Sequence, residues 1–79
     1  MITGGQVRAA RGFLKWSIVD LALKSGVSTP TIQRLEQADG IPGTKAQTLV
    51  DLRAAFEEAG LEFIGTPDNG PGVRFRPKG

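Results

Sequence analysis

The chain has 79 residues, a net charge of +2, and no cysteine, histidine or tyrosine. This composition excludes a disulfide framework, a thiolate metal site, and the side chain that most often serves as general base or metal ligand. One small domain over residues 1–79 is expected, with a core modest enough to gain from a partner subunit.

The spacing predicts a first helix that starts at a T-x-x-Q capping box, Thr3 with Gln6, and runs to Leu14 or Lys15. Val7, Ala10, Phe13 and Leu14 give it an apolar stripe. Trp16 follows and belongs to the core. Ser17 with Asp20 caps a second helix that runs to Ser25. Gly26 stops it by taking the left-handed conformation, and Val27 points inward from the turn. Ser28 caps a third helix, Pro30 fits its first turn, and Ile32 and Leu35 are its buried stripe. That helix ends near Gln37 or Ala38. Asp39–Gly43 reads as a loop. Thr44 and Gln47 repeat the capping-box pattern. Leu49, Val50, Leu52, Ala55, Phe56 and Ala59 line the last helix, and Gly60 stops it. The helical body therefore spans residues 3–60.

Residues 61–77 change period. Leu61–Ile64 and Val73–Arg76 read as strands around a turn-rich stretch, Thr66–Gly72. A two-stranded hairpin is marginal alone, so it should pack on the helices or on a second copy. A partly disordered tail is the alternative.

Residues 17–38 describe two short helices meeting across a tight turn. Such a pair presents its second helix to the major groove of DNA. The charges are sorted. Residues 1–34 carry Arg8, Arg11, Lys15, Lys24 and Arg34 against Asp20, a net +4, whereas residues 35–68 carry a net −5. Arg74, Arg76 and Lys78 add +3 at the end. A basic half beside an acidic half suits a polyanion-binding face with a separate body. Glu57 and Glu58 are adjacent on a helix and diverge, so they form no catalytic pair. No phosphate-cradling loop occurs, and an enzyme is not expected. Neither a membrane span nor a signal-peptide pattern is evident, and a cytoplasmic, nucleoid-associated protein is expected.

The run WSIVDLALKSGVSTPTIQRLE, with Ala22, Gly26, the stretch Ser28–Glu36 and Arg11 upstream, resembles the Cro/C1-type (XRE-like) helix-turn-helix regulators. The likeness covers about residues 3–60. The ending, AGLEFI…GPGVRFR, is similar to a group of short proteobacterial regulators. The resemblance implies a mainly α, lambda-repressor-like DNA-binding domain of four to five helices with a C-terminal β-hairpin. It implies an ion pair between Arg11 and Glu36, and an exposed reading face made of Thr29, Pro30, Thr31, Gln33 and Arg34. Arg34 is the best candidate for a bidentate contact to guanine, because its planar fork matches the O6 and N7 acceptors. Gln33 could read adenine or point away from the groove. Ser17 and Gln37 fall where the family contacts phosphates, and Ser28 and Lys45 are further candidates. Such contacts fix register without specifying sequence.

Ile18, Val19 and Leu23 depart from the family, which places polar residues there. Val19 and Leu23 share one helix face. They either enlarge the core or form a contact site for a protein partner. Arg74 and Arg76 either reach along DNA, stay solvated, or pair with Glu62 across the strands. The expected function is a sequence-specific regulator, a repressor that binds a palindromic operator as a homodimer. The alternative is a protein-binding module, antiactivator or antitoxin-like, using the second helix. No cofactor, metal or membrane partner is expected.

Overall fold

The structure, a computed structural model, describes residues 2–38, 40 and 43–76. Four helices come first: α1 (Gly4–Leu14), α2 (Ile18–Ser25), α3 (Thr29–Glu36) and α4 (Ala46–Glu58). An antiparallel hairpin of β1 (Leu61–Thr66) and β2 (Asn69–Phe75) follows. The expected loop Asp39–Gly43 falls only partly on described residues. Lys78 and position 77 lie outside them. No helix among the described residues is long and apolar enough to cross a membrane.

Two of the three capping boxes form as expected. Thr3 Oγ1 accepts from the Gln6 N–H at 3.0 Å, and Gln6 Oε1 accepts from the Thr3 N–H at 2.8 Å. Ser17 and Asp20 do the same at the start of α2, at 3.0 and 2.9 Å. Gly26 ends α2 at φ 76° with its N–H on the Ala22 carbonyl. The third box does not form. α4 begins one residue late, with Lys45 at the N-cap, so Thr44 and Gln47 no longer hold the N-cap and the third helical position. Gln47 instead donates to Asp51 at 2.8 Å. Ser28 also departs from expectation. It sits at the N-cap of α3, but its side chain makes no cap bond. Pro30 lacks one of the N–H groups such a cap would serve. The Ser28 hydroxyl donates to Thr31 Oγ1 at 2.9 Å instead.

The core draws one or more side chains from every helix and from β1. Val7 and Ala10 of α1, Leu21 of α2, Ile32 and Leu35 of α3, and Leu49, Leu52 and Phe56 of α4 are buried, with Ile2, Val27 and Leu61. Trp16 stacks on Phe56 at 5.5 Å, and Phe63 meets the same ring edge-on at 5.7 Å. Two residues of the expected stripes lie outside: Phe13 is 55% and Val50 57% exposed. Both sit at the margin of an otherwise correct helical stripe, where the buried arc has already ended. Ile2, ahead of the expected body, is buried.

Gly4 governs how α1 meets α3. A Cβ there would collide with the carbonyl oxygens of Leu35 and Ala38 at the end of α3. We expect Gly4→Ala to destabilise the fold by about 1–3 kcal/mol, the usual range for forced overpacking. A shift in the urea unfolding midpoint at constant slope checks this.

The hairpin is longer than the sequence suggested. The stretch Thr66–Gly72 is mostly strand, and only Pro67 and Asp68 form the turn. Gly65 and Gly70 absorb positive φ near a register shift between Ile64 and Thr66, so turn-forming residues sit inside the ladder. Arg76 lies just beyond β2. Leu61, Phe63, Val73 and Phe75 share the inner face, and Phe63 and Val73 pack on the core. Gln6 pins this arrangement. Its buried amide nitrogen donates to the carbonyls of Ile64 at 3.2 Å and Gly72 at 2.9 Å, one on each strand.

Candidate nucleic-acid interface

α3 buries Ile32, Leu35 and Glu36. At about 100° per residue, the side opposite that stripe holds Pro30, Gln33, Arg34 and Gln37. All four are exposed. Thr29 and Thr31 are half-buried on the flanks, and Thr31 Oγ1 is already engaged by Ser28. Of the five residues of the expected reading face, these two threonines are the least exposed. Gln33 is exposed beside Arg34, and Gln37, the phosphate-contact candidate at the end of the helix, continues the same ridge. The side chains of Gln33, Arg34 and Gln37 have no hydrogen-bond or ion-pair partner among the described residues.

This ridge is held from behind. Arg11 grips Glu36 with two parallel bonds, Nε to Oε2 and Nη2 to Oε1, both 2.9 Å. Its Nη1 donates to the Trp16 carbonyl at 3.0 Å. The Arg11 guanidinium is pushed above its ordinary pKa, first by the hydrogen bond to Glu36. Arg8 Nη1 donates to the Glu36 carbonyl. The C-terminal end of α3 is therefore tied to α1 through two arginines, Arg11 on the Glu36 carboxylate and Arg8 on its carbonyl. The Arg8 contact was not expected, because nothing in the sequence pattern joins positions 8 and 36.

The phosphate-contact candidates surround the ridge unequally. Ser28 and Lys45 are exposed, each at the N-cap of a helix whose first turn contains no acidic residue. Their N–H groups give those ends partial positive charge. Ser17 is different. Its oxygen accepts from Asp20, whose carboxylate lies at the same helix end. Bonds from the Ser17 backbone and hydroxyl hold the Asp20 carboxyl below its usual pKa range. A phosphate there would meet a persistent negative charge.

The expected contact face of α2 divides. Ile18 is half-buried and packs on the core, whereas Val19 is 57% and Leu23 80% exposed. We expect Val19→Glu with Leu23→Lys to leave helicity and cooperative unfolding unchanged. Circular dichroism during a melt checks this, and loss of the folded signal would place the two residues in the core. Lys24 lies 5.1 Å from the Trp16 ring centroid on the other side of α2.

The arginines of the hairpin are engaged. Arg74 and Arg76 both pair with Glu62, at 2.9 and 2.7 Å, on the outer face. Arg74, chiefly through its hydrogen bond, holds the Glu62 carboxyl below its usual pKa. The described residues contain no cluster of three or more His, Cys, Asp or Glu side chains that could hold a metal ion.

Compared with known proteins, the chain matches no family model and no curated sequence. The case for a function rests on the site itself.

Proposed function

We propose that this chain is a sequence-specific double-stranded DNA-binding regulator with a lambda-repressor-like, Cro/C1-type helix-turn-helix. The observation that carries the reading is the outward ridge of α3. Pro30, Gln33, Arg34 and Gln37 stand exposed on one side of a short helix whose other side is locked into the core. A helix presented in this way fits the major groove. Arg34 reads guanine, Gln33 reads adenine, and Pro30 supplies apolar contact. Ser28 and Lys45 anchor phosphates at the two acid-free helix starts. Ser17 contributes less, because Asp20 lies beside it.

In this reading the protein acts as a repressor, binding a near-palindromic operator as a dimer. The half-sites then lie about one helical turn apart, roughly 34 Å. Titration against a selected duplex and a random duplex tests the reading. Tighter binding to the selected duplex supports it, and equal affinity for both removes the sequence-specific part.

A second reading is favoured by Val19 and Leu23, exposed apolar residues on one face of α2. There the same scaffold binds a protein partner, as an antiactivator or antitoxin-like module. The Val19→Glu, Leu23→Lys variant separates the two. It abolishes partner capture in this second reading and leaves DNA affinity within about two-fold in the first.

A further inference from the structure

Both strands of the hairpin are edges, because the sheet has only two strands among the described residues. The Arg76 N–H donates to the Gly60 carbonyl at 2.7 Å. Hydrogen-bonded and non-bonded pairs alternate along an antiparallel ladder. The register pairs Leu61 with Phe75, Glu62 with Arg74, and Phe63 with Val73. Glu62 and Arg74 therefore exchange backbone bonds. The N–H and C=O groups of Val73 and Phe75 turn away from β1, toward the open edge of β2. The apolar surface beside that edge is uncovered. Phe75 is 41% exposed, and Phe13 of α1 rests on it at 5.1 Å. An unpaired edge with apolar side chains is a template for another strand.

The two-fold registers in which β2 could meet its own copy differ sharply. Centred on Val73, the pairing sets Phe75 opposite Pro71, which has no N–H to donate. Centred on Phe75, it sets Arg74 opposite Arg76 on both sides of the axis, two like-charged pairs where the register centred on Arg74 has one. Centred on Arg74, it sets Val73 opposite Phe75 on both sides, and each such pair exchanges both backbone hydrogen bonds. The inner face then runs without a break from Leu61 and Phe75 to the Val73 and Phe63 of the other copy. On the outer face the two Arg74 side chains meet as the one like-charged pair of this register, each held by its own Glu62. Arg76 falls opposite Gly72, which has no side chain to obstruct it.

We propose that a second copy of this chain pairs antiparallel along β2, centred on Arg74, to give one continuous four-stranded sheet. Pro71 and the arginines select the register, and Phe13 and Phe75 become covered. This interface would join two reading heads, but it stands on the strand edge alone.

The chain lacks cysteine, so one substitution reports the register. In the proposed pairing the two residues 74 form a non-bonded pair with Cα atoms about 4.5 Å apart, within disulfide reach. Arg74→Cys should oxidise to a covalent dimer about ten-fold or more faster than Arg53→Cys on α4, through its higher effective concentration. Sedimentation should show a dimer for the native chain and a monomer for Phe13→Ser with Phe75→Thr. Equal oxidation rates for the two cysteine variants would overturn the proposal. So would a dimer that survives the double phenylalanine replacement. Duplex DNA enters neither readout, so this proposal and the DNA-binding reading fail separately.

Discussion

Glu36→Ala should destabilise the fold by about 2–3 kcal/mol, at or just below the roughly 3–5 kcal/mol that breaking a fully buried ion pair costs, because Arg11 keeps some access to water. The Glu36 side chain is 7% exposed and that of Arg11 25%. Removing the carboxylate leaves a guanidinium against the core with one partner among the described residues, the Trp16 carbonyl. The measurement is urea unfolding followed by circular dichroism. Replacing both partners, Arg11→Met with Glu36→Leu, should recover much of the loss, since a buried pair is often worth little against apolar residues of similar size. A Glu36→Ala variant as stable as the native chain would mean that the pair does not brace α3. The consequence for function follows directly. The pair fixes the end of the helix that carries Gln33, Arg34 and Gln37, so the same variant should bind DNA less selectively even where it remains folded.

Arg34→Ala should weaken binding to the selected operator by about 1–3 kcal/mol and relax preference at one base pair. Arg34 is exposed on the outward ridge and has no side-chain partner among the described residues, so its removal leaves the scaffold intact. Competition assays against the operator and each single-base variant measure the effect. A loss of equal size on random DNA would make Arg34 a phosphate contact. Stability should move by no more than about 0.5 kcal/mol, as for a surface site away from buried contacts.

The parts of the fold visible in the sequence are those set by short-range pattern. Leu21, Val27, Ile32 and Leu35 recur at helical spacing around Gly26, and all four are buried. The boxes at Thr3 and Ser17 involve residues three apart, and both form. Features that depend on distant chain were hidden. Gln6 reads as half of a capping box, yet it also binds two carbonyls 58 and 66 residues away. Gly4 reads as an ordinary helix start, and only the approach of α3 reveals why a side chain is excluded. Thr44 and Gln47 had the right spacing, but α4 starts one residue later. Gly65 and Gly70 look like turn residues and serve as strand irregularities instead. At the candidate site, the outward ridge could be placed from the helical period. The engagement of Ser28 with Thr31, and of both hairpin arginines with Glu62, required the tertiary arrangement.

The claim that this chain reads DNA is tested most directly by titrating it against duplex DNA, including the DNA around its own promoter, at about 50 to 200 mM salt. Affinity should fall linearly in log–log form with salt, with a slope set by the phosphates contacted, and a selected duplex should bind more tightly than random sequence at every salt concentration. The absence of salt-dependent binding to any duplex would contradict it.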